Sequence, residues 1–277
     1  MDINLYFSLF LKHFKVNYKL ILMTLMAGTI AFSCSVPSKS NKSVNNQETS
    51  SDYDPNFKVA AQEFADLKVL RYQVPGFDQL PLQQKILAYY LSEAALSGRD
   101  IIYDQLSKNG LTLRKTIEAI YGTYRGDRTT DEWKKFEVYC GRFWFSNGNH
   151  HHYGNEKFFP EVPFEYFTEI AKASDSSLFP LSKGESLDAF LERIKPIIYD
   201  PRVEPKLVDL RPNIDNVKAS SVNFYENVDL RDVEKFYERF DSRGNAPMWG
   251  LNSKLVKENG NVFEKVWKSG GMYGAAI

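Results

Sequence analysis

The first 56 residues confine any folded core to residues 57–277. Lys12, Lys15 and Lys19 precede a thirteen-residue apolar run, Leu20 to Phe32, and Ser33-Cys34 follows. An export leader carries about 7–15 apolar residues and a spanning helix needs about 20, so the run reads as a leader removed from the mature chain. From Ser35 to Asn56 the sequence holds six serines and four asparagines with almost no large apolar residue. Such a segment buries too little to offset the entropy of ordering its backbone, and 35–56 reads as a flexible linker. The 35 Lys and Arg balance the 35 Asp and Glu, and losing residues 1–34 strips three lysines and one aspartate. Nucleic-acid binders draw affinity from surplus positive charge, so no nucleic-acid partner is expected. At 43% hydrophobic and 25% charged residues the composition is that of a globular protein and excludes collagen or a polytopic membrane protein. Two cysteines cannot make a disulfide framework.

Cys34, directly after the leader with Ala31 and Ser33 before it, resembles the cysteine of the bacterial lipoprotein box. That resemblance implies lipidation at Cys34 and a membrane tie through the lipid, on the periplasmic side of a bacterial cell envelope. Simple secretion and an uncleaved anchor are the alternatives. Ala31 stands where such boxes usually have Leu.

Periodicity in residues 57–277 predicts a mostly helical α+β fold. Lys68–Tyr72 alternates with period two and stops at Val74-Pro75-Gly76, which predicts a strand. Helices are predicted from Pro81 to Gly98, over Leu113–Tyr124, Thr130–Phe145, Phe164–Lys172, Leu187–Lys195 ended by Pro196, and Leu230–Phe240 behind an Asp229 cap. In the third of these, Trp133, Phe136, Cys140, Phe143 and Trp144 share one face and read as core. Leu255–Glu258 and Asn261–Trp267 flank Asn259-Gly260, the strongest hairpin signal in the chain. Gly270–Ile277 is apolar without charge or cap and reads as an interrupted chain.

The chain has four histidines, and His13 lies in the leader. Chemistry that needs imidazole therefore falls to His150, His151 and His152. In an extended segment His150 and His152 share a side and His151 points away, an awkward zinc site with only Glu156 and Glu161 near. A polar surface of a cleft and a structural loop are the other readings. Cys140-Gly141 resembles a thiol nucleophile, but an apolar helix face makes that thiol inert. Neither a Gly-x-Ser-x-Gly elbow nor a phosphate-binding glycine loop occurs. Tyr153, Phe158 and Phe159 fall outside the helical period and are candidates for contact with an apolar ligand.

Five blocks in order resemble the amino-terminal portion of bacterial members of the dipeptidyl peptidase III family. They are Tyr89–Ser92 with Gly98–Ile101, Arg114–Tyr121, the Trp144–Gly154 loop, Gly250–Gly260 and Glu264–Trp267. The resemblance covers about residues 57–277. It implies a two-lobed zinc metallopeptidase that releases dipeptides from the free amino end of short peptides, with a small β-barrel in its lower lobe. The family's zinc is held by a His-Glu-x-x-Gly-His helix and a downstream Glu, and that motif does not occur here. The chain is therefore expected to bind no zinc, to hold no catalytic residue, and to be inactive without a carboxy-terminal catalytic portion as its partner. The resemblance also implies that Asn147, Gly148, Asn149, Tyr153 and Gly154 face a peptide cleft, with Tyr153 the first substrate contact. A non-catalytic lipoprotein that binds peptides or a partner chain is the competing reading.

Overall fold

The structure, a computed structural model, describes residues 53–241 and 253–277. Pro55–Ile277 is one compact unit. The leader, Cys34, most of the linker and Gly250–Asn252 lie outside the described residues.

The compact unit opens with a hairpin, β1 (Ala60–Phe64) and β2 (Leu67–Leu70), paired antiparallel with an irregularity between Ala60 and Gln62. Eight helices follow among the described residues: α1 (Leu82–Ser97), α2 (Arg99–Leu106), α3 (Gly110–Thr123), α4 (Asp131–Ser146), α5 (Phe164–Lys172), α6 (Leu187–Tyr199), the single turn α7 (Asn216–Ala219) and α8 (Leu230–Asp241). Strand β3 (Tyr225–Glu226) precedes α8, and β4 (Ser253–Glu258) and β5 (Asn261–Val266) come after it. In the three-stranded sheet β3 runs parallel to β4, and β4 runs antiparallel to β5.

The fold is α+β and mostly helical. Neither described sheet closes on itself, so the expected small β-barrel is not formed by these residues. The physical reason is strand supply: β3 has two residues and β1–β2 pair only with each other, too few strands to wrap a closed sheet.

Helices α2 to α6 enclose the main core. α4 starts at Thr130, whose hydroxyl accepts the Trp133 N–H. Trp133, Phe136, Cys140 and Phe143 follow at helical spacing and are fully buried, as the pattern predicted. α3 contributes Ile117 and Ile120, α5 Phe167 and Ile170, and α6 Phe190, Leu191, Ile194 and Ile198. Pro196 does not end α6. An interior proline costs about 3 kcal/mol, but burying a side chain such as Ile198 returns about 1.5–3 kcal/mol, and Ile197 and Tyr199 also pack on the core. Gly110 lets α3 start against α2, because a Cβ there would strike the Tyr103 carbonyl oxygen. A smaller core lies between α8 and the three-stranded sheet, built on Val228, Val233, Phe236 and Leu255. Asp229 caps α8 by accepting the Asp232 N–H, and Asp232 returns the bond to the Asp229 N–H. Asn259 and Gly260 both take positive φ, 50° and 80°, as a type I′ turn demands.

Candidate functional site

The loop after α4 carries every cleft residue expected from the sequence. α4 closes on Asn147 in the left-handed conformation, φ 55° and ψ 35°. The Gly148 N–H then reaches back to the Phe143 carbonyl at 3.0 Å, which fixes where the loop begins.

Asn149 and His150 turn inward. Asn149 is 5% exposed; its Oδ1 accepts the Tyr139 hydroxyl at 2.9 Å and its Nδ2 donates to the Ile197 carbonyl at 3.5 Å. It therefore ties α4 to α6. His150 is 3% exposed, and its Nε2 lies 2.7 Å from the Glu204 carbonyl oxygen, so Nε2 carries the proton. Glu204 itself takes a positive φ of 49°, and its carboxylate accepts from the Ser107 hydroxyl at 2.9 Å and the Asn109 amide at 2.7 Å. One residue thus joins the loop to the α2–α3 corner.

The histidine tripeptide is not extended. A turn begins after His151 and takes in His152: the His151 N–H donates to the Glu156 carbonyl at 2.8 Å and the Asn155 N–H to the His151 carbonyl at 3.0 Å. His151 Nδ1 accepts the Tyr153 and Gly154 N–H groups at 3.2 and 3.0 Å, which leaves the proton on Nε2, 3.4 Å from an Asp66 carboxylate oxygen. Asp66, in the β1–β2 turn, also receives Arg142 at 3.0 Å. Its own backbone N–H, with the Arg142 guanidinium and His151 adding to it, holds that carboxyl below its ordinary value. β1 can lie this close because Phe64 packs where a Cβ on Gly141 would sit. His152 packs its ring 4.9 Å from Phe145 and 4.2 Å from Tyr153. Tyr153 remains 69% exposed, beside the exposed Gly154.

Lys157 closes the loop. It is 8% exposed, and its ammonium donates to the Asp200 and Val203 carbonyls at 2.9 and 2.8 Å. The Leu207 N–H completes the seam by donating to the Asn155 carbonyl at 2.9 Å. Lys157, Glu204 and Asp66 were not foreseen, and no local pattern in the sequence marks them.

Both buried bases are held toward their neutral forms. Burial lowers His150 below its ordinary 6.5, against the raising effect of the Glu204 carbonyl, and burial lowers Lys157 to about 8. The unfolded chain takes protons that the folded chain refuses. Stability is therefore expected to fall as pH drops through 6.5, and to rise with pH between about 8 and 10.5. Unfolding midpoints measured against pH check this: His150→Gln should flatten the acid slope except for the part owed to His152, which burial also lowers. An unaltered slope in that variant would exclude a buried neutral ring at His150.

The expected cleft residues therefore divide. Tyr153 and Gly154 face outward with His151 and His152 half-buried behind them, Asn147 is half-buried at the helix end, and Gly148, Asn149 and His150 are interior. Among the described residues no three His, Cys, Asp or Glu side chains gather as a metal site. The Glu204 carbonyl engages the His150 ring and the Asp66 carboxylate the His151 ring, whereas the buried His152 Nδ1 has no hydrogen-bond partner, so the three imidazoles do not share one ligand position. Cys140 is fully buried, and burial pushes its thiol well up, out of nucleophile range. The arrangement can bind and orient a ligand on an exposed aromatic. No helix among the described residues is long and apolar enough to cross a membrane. No family model matches the chain, and no curated protein matches it.

Proposed function

We propose that the 147–158 loop is one wall of a peptide-binding cleft, in a protein related to the dipeptidyl peptidase III exopeptidases. The observation that supports this reading is Tyr153: a large exposed ring on a loop whose interior side is fixed by Asn149, His150 and Lys157. A rigid base under an exposed aromatic lowers the entropy lost when a ligand docks, which is how a binding wall is built. The zinc ligands of such an enzyme are not among these residues. This chain's share would be binding energy from Tyr153, with Asn147 and Gly154 beside it. The half-buried pair His151 and His152 would set the ring's orientation.

The full chain is expected to bind short peptides with a free amino end, and Tyr153→Ala to weaken that binding about tenfold, as loss of an aromatic contact does. Titration calorimetry with unblocked and acetylated pentapeptides measures it. Equal affinity of Tyr153→Ala and the parent chain would remove Tyr153 from the site, and no binding by either would sink the reading.

The absence of a His-Glu-x-x-Gly-His motif in these residues favours a second reading, a non-catalytic lipoprotein that holds peptides or a partner chain on the same wall. Either protein would be tied to the envelope through Cys34. Incorporation of labelled palmitate, lost in Cys34→Ser, is the expected result; label retained in that variant would rule the anchor out.

A further inference from the structure

α1 has ten apolar residues in sixteen, yet none of its residues is buried. Leu82 is 71% exposed, Tyr89 60% and Leu96 54%. An all-round apolar helix belongs inside a larger assembly, whereas a helix lying in a lipid surface separates an apolar face from a charged one. α1 makes no such separation: its two charges, Lys85 and Glu93, share a face with Leu82, Tyr89 and Leu96.

That face is a palindrome. Leu82, Lys85, Tyr89, Glu93 and Leu96 are spaced three, four, four and three residues apart, which places them along one side of the helix. Reversed about Tyr89, the order of types becomes leucine, glutamate, tyrosine, lysine, leucine. An antiparallel copy therefore sets Leu82 against Leu96, Lys85 against Glu93 and Tyr89 against itself, each pair made twice or on the axis. Self-complementarity of this kind is what a two-fold interface requires. Leu87 and Leu91 on the other side are exposed too, but that side carries no charge to fix a register.

We propose that α1 is a self-association surface that pairs with α1 of a second copy of this chain, antiparallel about a two-fold axis at Tyr89. The Lys85 ammonium already lies at the edge of this face, donating to the Asp78 carbonyl at 2.8 Å with two further donors to offer. Glu93 is exposed. The reciprocal Lys85–Glu93 pairs set direction and register, and the leucines and tyrosines supply apolar burial. This inference does not depend on the peptide-binding reading.

The test is sedimentation velocity on the full chain, on Lys85→Glu, on Glu93→Lys, on the double exchange and on an equimolar mixture of the two single variants. The parent chain is expected to dimerise. Each single variant places like charges at both reciprocal pairs and should weaken dimerisation about tenfold or more. The double exchange restores both pairs. The mixture restores them as well, because one chain then presents a carboxylate at both positions and its partner an ammonium at both. Circular dichroism of the single variants checks that these substitutions leave the fold intact. A parent chain that stays monomeric at about 100 μM, far above the concentrations at which stable dimers form, would overturn the proposal and leave the face to another partner. Association equal in all five samples would overturn it too, since pairing through the leader or any other surface is blind to charges at 85 and 93.

Discussion

Trp133→Ala is expected to lower the stability of the Pro55–Ile277 unit by about 3–5 kcal/mol, the range for deleting a fully buried large aromatic. Trp133 is completely buried. Its ring stacks on Tyr124 at 4.9 Å, lies 5.3 Å from Phe136 and 6.1 Å from Tyr121, and is covered by the Arg128 guanidinium at 4.8 Å. Removing it leaves a void touched by α3, α4 and the segment between them. The indole Nε1 makes no hydrogen bond, so the loss is of packing and of the Arg128 contact. Domains of this size hold about 5–15 kcal/mol in total, and the variant should be partly unfolded at 37 °C. Urea denaturation followed by circular dichroism measures the change. Trp133→Phe keeps part of the stack and should lose less than half as much. A loss below about 1 kcal/mol for Trp133→Ala would mean that the core collapses freely around the void, contrary to the packing described.

Asn149→Leu should cost about 2–3 kcal/mol although the side chain keeps nearly the same volume, because it leaves the Tyr139 hydroxyl and the Ile197 carbonyl buried without partners. It should also free the loop that holds Tyr153 and so weaken peptide binding as far as Tyr153→Ala does. The discriminating measurement is a double-mutant cycle with Tyr139→Phe. Removing the hydroxyl first takes away one of the two orphans, so the pair of substitutions should cost less than the sum of the singles by about 1 kcal/mol. Strict additivity would mean that the 2.9 Å contact between Tyr139 and Asn149 contributes nothing.

The sequence was most legible where one short window holds the whole signal. Phe164–Lys172 forms the predicted helix residue for residue, the Asn259-Gly260 turn takes the predicted geometry, and the buried face of α4 follows its periodicity. What was missed depends on residues far away. β1 was not foreseen because Ala60–Phe64 does not alternate, and its pairing with β2 supplies the order. α2 begins at once after Gly98, where a glycine normally marks an end, because the Tyr103 ring finds Phe143 and Arg114 to pack on. Pro196 looked like a stop, and burial of Ile198 outweighs it. At the candidate site Tyr153 is exposed. The inward turn of Asn149 and His150 could not be read, since Tyr139, Ile197 and Glu204 decide it.

Glu204 lies 54 residues beyond His150 and 97 beyond Ser107, and its carbonyl and carboxylate bind both. The segment from 147 to 158 has local turns of its own, but its buried side cannot be seated early. It must wait, during synthesis or refolding, until the chain has travelled on past α6 and come back, and contacts of such long range form slowly. Copied out as a short peptide or grafted onto another scaffold, it would arrive without the strap that seats its buried side.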